Sequence, residues 1–171
     1  RKWLEQGKIR AEWIEAGELT KGDYVAQVIP TEVVPVAGFT AEEARLYGIL
    51  LGDGHFSKNG SQWGVSGNPA QDDHLTFVRA YLQQRGIHFW ETQRGTHYAQ
   101  IHWASGQGVV RDATTGRISG AGAPTLPFTH DDIYDAEGRK RLHRRFSHLP
   151  KPQALALIQG LGDTHAAALR A

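Results

Sequence analysis

A chain of 171 residues has room for one domain, or one and a fraction. Its lack of cysteine excludes disulfides, thiolate zinc sites and cysteine nucleophiles, and a content of 40% hydrophobic and 22% charged residues is that of a globular domain, not a disordered chain. The net charge of +1 is unevenly spread: residues 139–171 hold seven Lys/Arg against one acid, so that a polyanion-binding patch and a solvated basic loop are both open there.

No apolar run approaches the roughly 20 residues of a membrane span. Residues 1–10 lack a signal-peptide core. No membrane partner and a cytoplasmic, intracellular setting are therefore expected. A chain that starts at Arg1 and holds no methionine reads as a processed piece or a fragment.

Residues 3–29 read as short β structure, with a turn at Ala16-Gly17 and a β-branched strand after Gly22-Asp23. Pro30 and Pro35 bracket an extended connector. Thr40-Ala41-Glu42-Glu43 is a capping box and opens a helix to about Leu51. Gly48 and Gly52 lie on one stripe of it, which costs helix stability and implies another backbone packed close.

His55 to Ser66 reads as a hairpin around Asn59-Gly60. Asn68 as N-cap and Pro69 at the first position predict a second helix, with Leu75, Val78 and Leu82 on one face and Gly86 as its stop. Ile87–Gln93 and Thr96–Trp103 form a second predicted hairpin about Arg94-Gly95. Residues 105–148 are a long insertion, rich in glycine and proline at first, of the kind that is usually functional or mobile. A last helix runs through Ala154 to Leu161. The order is α-β-β-α-β-β-α, an α+β chain.

Two helix ends carry the chemistry. The first reads Leu46-Tyr47-Gly48-Ile49-Leu50-Leu51-Gly52-Asp53-Gly54, and the last Ile158-Gln159-Gly160-Leu161-Gly162-Asp163-Thr164-His165-Ala166. They resemble the two copies of the LAGLIDADG signature of homing endonucleases, DNA-cutting enzymes often embedded in inteins. Gly48 and Gly160 are 112 residues apart, a fit to one repeat with an insertion. The segment Leu19-Thr20-Lys21-Gly22-Asp23-Tyr24-Val25 is similar to the part of an intein splicing domain that precedes its endonuclease.

The resemblance implies an αββαββ repeat with a mixed or antiparallel four-stranded DNA-binding sheet. It divides the chain into a splicing-domain remnant and connector (1–38), a first repeat (39–152) and the helix of a second, truncated or degenerate repeat (153–171). The helices would pack through small residues, Gly48 and Gly52 against Ala156 and Gly160. Their carboxyl ends, each carrying a partial negative charge, would meet. Asp53 and Asp163 would there hold Mg²⁺ or Mn²⁺, which activates water and stabilises the leaving oxygen of a phosphodiester. The implied substrate is double-stranded DNA. The parent chain would include a host protein, and two copies could self-associate where one repeat is present.

The second motif departs from the pattern. Aligning Gly160 with Gly48 puts His165 at the acid's position, whereas aligning Asp163 with Asp53 gives up the helix-packing glycine. We prefer the first register, in which one metal site loses its carboxylate and cleavage is weakened, limited to one strand or lost. With Arg1 first and Ala171 last, the chain is not expected to splice by itself.

Lys58, Gln62, Trp63, Arg94, His97, Gln100 and His102 on the hairpins are candidate DNA contacts. Strand alternation puts Gln100 and His102 on one face and Ile101 and Trp103 on the other. Gln can pair bidentately with adenine, although a solvated outer face accounts for the same pattern. Arg139, Lys140, Arg141, Arg144 and Arg145 suit phosphate contacts, unless Asp131, Asp132, Asp135 and Glu137 neutralise them. Three functions stay open: a metal-dependent DNA endonuclease, a degenerate form that binds DNA without cutting, and a hydrolase with Asp53-x-His55 and Asp163-x-His165 as Zn²⁺ or Mn²⁺ ligands.

Overall fold

The computed structural model describes residues 14–23, 32–57, 61–107, 110–116, 118–119 and 124–165, and the chain divides into two compact units, 1–31 and 32–171. In the first, Ala16–Glu18 form a single 3-10 turn. The carboxylate of Asp23 accepts the Thr20 amide at 2.7 Å and the Thr20 hydroxyl at 2.9 Å. These bonds, the amide's above all, hold the Asp23 carboxyl below its ordinary range. The strand expected after Asp23 lies outside the described residues.

The second unit is α+β. Its helices are α1 (Ala41–Gly52), α2 (Asp73–Gln84) and α3 (Lys151–His165). Its strands β1 (Gly54–Phe56), β2 (Gln62–Gly67), β3 (Phe89–Arg94) and β4 (Tyr98–Ala104) form one sheet in the order β1-β2-β4-β3. Every pairing is antiparallel. The connector 32–38 belongs to this unit, where the Val34 amide donates to the His148 carbonyl at 2.8 Å. Among the described residues no helix is long and apolar enough to cross a membrane.

Helix α1 starts where its capping box predicts. The Thr40 amide donates to Glu43 Oε2 at 3.0 Å, and the Thr40 hydroxyl donates to the same oxygen. Glu43 is almost wholly buried, yet its charge is satisfied: Oε1 accepts the Tyr81 hydroxyl at 3.1 Å and the Arg85 guanidinium. One carboxylate therefore caps α1 and ties it to the end of α2. Burial, then the Glu43 charge, pushes the Tyr81 phenol up.

Helix α2 starts later than its Asn-Pro pair predicts. Asn68 Oδ1 accepts the Ala70 amide at 3.1 Å, and the Asn68 carbonyl accepts those of Gln71 and Asp72. Residues 68–71 are thus a turn off the end of β2, closed by the Asn68 amide donating to Asp72, and the helix opens at Asp73. Its far end is as predicted. Gly86 has φ +63°, its amide reaches the Gln83 carbonyl, and the Ile87 amide reaches that of Leu82 at 2.9 Å.

The described part of the insertion is irregular but packed. After the short pair β5 (Val110–Arg111) and β6 (Ile118–Ser119), the chain returns to the core and buries Leu126, Phe128, Ile133, Phe146 and Leu149. Phe146 stacks on Phe39 at 4.4 Å, and Phe128 meets Tyr47 edge-on at 5.2 Å. The Tyr47 hydroxyl donates to the Asp132 carbonyl and accepts the His143 amide at 3.2 Å. Its phenol is pushed up to about 12, chiefly by burial.

Helices α1 and α3 run parallel in backbone contact. A Cβ on Gly48 would lie 2.2 Å from the Leu157 carbonyl oxygen and 3.0 Å from the Leu161 nitrogen. A Cβ on Gly160 would lie 2.1 Å from the Arg45 carbonyl oxygen and 2.9 Å from the Ile49 nitrogen. The contacts are reciprocal under one offset of 112 residues, as in a local two-fold. The nearest atoms to Gly48 are the Leu157 carbonyl and the Leu161 nitrogen, which is bonded to Gly160, and those nearest Gly52 belong to Thr164. The offset equates Asp53 with His165 and Leu51 with Asp163.

Gly48→Val and Gly160→Val should each lower stability by about 1–3 kcal/mol, or unfold the unit, because the new atoms meet backbone that cannot turn aside. Gly162, which faces open space on the same helix, should tolerate alanine and gain up to about 1 kcal/mol. Chemical denaturation of the three variants checks both; equal losses at Gly160 and Gly162 would refute the close-packing account.

Candidate functional site

The carboxyl end of α1 opens onto the sheet. Asp53 caps it, its amide donating to the Ile49 carbonyl at 3.0 Å, and its side chain is exposed. Lys140 Nζ donates to the Gly52 carbonyl at 2.5 Å. The lysine stands on a tight reversal of the chain. Tyr134 and Lys140 pair as an antiparallel bridge, the Arg141 amide donates to the Ile133 carbonyl at 2.7 Å, and Ile133 is fully buried. Burial pulls the Lys140 ammonium below its ordinary pKa, while the Asp53 charge pulls it back up.

The outward face of the sheet begins next to it. Register places His55, Gly64, His102 and Trp90 in one row across β1, β2, β4 and β3. A Cβ on Gly64 would lie 2.4 Å from the His55 ring and 2.9 Å from His102 Nδ1, so only glycine leaves room for both imidazoles. Their rings meet edge-on at 5.5 Å, and Trp90 stacks on His102 at 5.9 Å. Gln100 Nε2 lies 3.4 Å from His55 Nε2. Burial, followed by the Lys140 charge, lowers the His55 pKa, so its neutral form is favoured.

Gln100 and His102 share the outward face with Gln62, while Ile101 and Trp103 are buried beneath, as alternation predicts. Trp63 corrects the reading. It stands on the inner face, 3% exposed, and packs at 4.2 Å on Phe56. Arg94 ends β3 opposite Tyr98, and His97 is exposed in the turn beyond. Lys58 lies outside the described residues.

The five basic residues divide. Arg139 is held by Asp135 at 3.0 Å and Glu137 at 3.2 Å. Arg145 is held by Asp132 at 2.6 Å and by the Pro127 carbonyl at 3.1 Å, with its guanidinium 4.5 Å over the Phe146 ring. Lys140 donates to the Gly52 carbonyl. Arg141 and Arg144 are exposed and have no ion-pair partner among the described residues. The neighbouring acids thus absorb much of the local excess of positive charge.

Asp163 is paired with Arg45. Its Oδ2 accepts Arg45 Nε at 2.9 Å and Nη2 at 2.7 Å, and the Arg45 guanidinium lies 4.3 Å over the Phe77 ring. Arg45 is eight residues before Asp53, about 12 Å along the helix. His165 ends α3, and its side chain lies outside the description. Among the described residues no three His, Asp or Glu side chains form a metal-sized group. Asp53, His55 and Asp163 accordingly do not form one such group.

Sequence reasoning named Lys140 only as a phosphate contact and His55 only as a metal ligand, and it passed over Arg45 and Trp90. β3 reads Phe89-Trp90-Glu91-Thr92-Gln93-Arg94 and has no apolar-polar alternation that would mark Trp90 as outward. The other placements depend on partners that are remote in sequence.

If Asp163 belongs to this ion pair, Asp163→Asn should cost about 0.5–1 kcal/mol at low salt, a loss that shrinks in 1 M NaCl. Arg45→Gln should cost the same, and the double variant little more. Melting curves at two salt concentrations read this; additive losses would separate the two residues.

Set against known proteins, the chain matches no described family, no curated protein and no solved structure.

Proposed function

We propose that residues 32–171 are a LAGLIDADG-type unit that binds double-stranded DNA along the outward face of its sheet. The observation that carries this reading is the reciprocal backbone contact of Gly48 and Gly160, which matches the two motif helices at one offset. The element order α1-β1-β2-α2-β3-β4, then the insertion with β5 and β6, then α3, supports it. So does the outward row, which offers Gln62, Gln100 and His102 to base edges in a major groove wide enough for a β-ribbon. Arg141 and Arg144 supply phosphate contacts. On this reading, residues 1–38 are a splicing-domain remnant and the connector that leads into the unit, and the parent chain carries a host protein.

Metal-dependent cleavage is the less supported half. Mg²⁺ or Mn²⁺ at such a site would offset charge on the departing oxygen of a phosphodiester. The donors at the end of α1 are a poor fit to a hard divalent cation. The Gly52 carbonyl is taken by Lys140, Asp163 is taken by Arg45, and the offset puts a histidine opposite Asp53. Binding without cutting is therefore the form that we favour. The endonuclease reading, with Asp53 as its acid, keeps one observation in its favour: the Asp53 carboxylate is exposed beside the same helix end.

Selection from a randomised duplex library, followed by gel shift, should yield a preferred sequence, and Gln100→Ala or His102→Ala should each weaken its binding about tenfold, the worth of one base contact of 1–3 kcal/mol. A supercoiled plasmid carrying that sequence should stay intact with Mg²⁺ or Mn²⁺. Nicking that disappears in Asp53→Asn would restore the endonuclease, and failure to retain any duplex at low salt would end the DNA reading.

A further inference from the structure

The lysine at the end of α1 is more than a surface charge. Its Nζ is 2.5 Å from the Gly52 carbonyl oxygen, its side chain is half-buried, and the reversal that carries it is pinned by the fully buried Ile133. The place that it fills is electrically distinctive. The last carbonyls of a helix carry a partial negative charge, and Asp53 adds a full one at the cap. A cation is favoured there, and the chain supplies its own.

We propose that the Lys140 ammonium is the built-in cation of this site, occupying the position that a divalent metal would otherwise take and making phosphate binding there independent of added metal. A divalent ion on the Gly52 oxygen would lie within about 4 Å of the ammonium, where like charges repel strongly. Lysine is suited to the task, because it is a compact point charge with three donors. One donor serves Gly52; the others can meet Asp53 and a phosphate oxygen. The proposal rests on the reading of this helix end as the phosphate-facing site.

Titration of the full chain with Mn²⁺, followed by the electron paramagnetic resonance of free Mn²⁺, tests it without DNA. Wild type and Lys140→Arg should show no stoichiometric site at micromolar metal. Lys140→Gln should bind Mn²⁺ at least tenfold more tightly than wild type, and adding Asp53→Asn should reverse the gain. A stoichiometric micromolar site in wild type, which no folding defect can mimic, would overturn the proposal; so would equal affinities in wild type and a Lys140→Gln protein with an unchanged melting curve. If that variant does not fold, Lys140→Met carries the same comparison. A second arm uses the selected duplex. Its retention by wild type should be unchanged by EDTA, and a loss in EDTA would refute metal independence. Failure to retain DNA at all would sink the DNA reading and leave the Mn²⁺ result standing.

Discussion

Two helices touch through their backbones, and most of the unit is arranged around that contact. At Gly48 and Gly160 each helix presents a bare Cα to a carbonyl of the other, and no side chain separates them. The distance is set by peptide groups, so there is one tight register, and it runs parallel. Parallel packing brings the two carboxyl ends to the same side. The remaining buried positions of α1, among them Leu46, Tyr47 and Leu50, are left to form the core with the sheet and the returning insertion. The helical cost of the glycines, about 1 kcal/mol each against alanine, is offset by the contact that they permit.

Like-signed helix ends brought together need compensation, and the unit supplies it from segments remote in sequence. Lys140 meets the Gly52 carbonyl, and Arg45 holds Asp163. At the other end of α1, Glu43 is buried but bonded to Thr40, Tyr81 and Arg85. Each of these charges has a partner, the condition under which buried charge is tolerated. The same arrangement reduces what is left for nucleic acid. Of the basic run, Arg139 and Arg145 answer to acids of the insertion, and Arg141 and Arg144 face outward.

Local physics was legible where it suffices to decide. The capping box at Thr40, the glycine stop at Gly86 and the alternation of Gln100, Ile101, His102 and Trp103 all depend on neighbours a few residues away. Asn68-Pro69 misled because the same residues that open a helix also make a turn, and the chain leaving β2 uses the turn. Trp63 misled because it was read by residue type; its parity with Val65 places it inward. The core-forming half of the insertion has no period at all. Its Phe128 and Phe146 are recognisable as core only beside Phe39 and Tyr47.

The amino-acid sequence by itself determined the kinds and order of elements, the face that β4 turns outward, and the two glycine-bearing helix ends at an offset of 112 residues. These follow from backbone propensity and short-range periodicity. The tertiary structure alone decided which backbone atoms meet across the helix pair, that Asp163 faces Arg45, and that Lys140 sits on the end of α1. Those are pairings across 88 to 118 residues. No local pattern encodes them, because they exist only once the chain has closed on itself and each charge has found its partner.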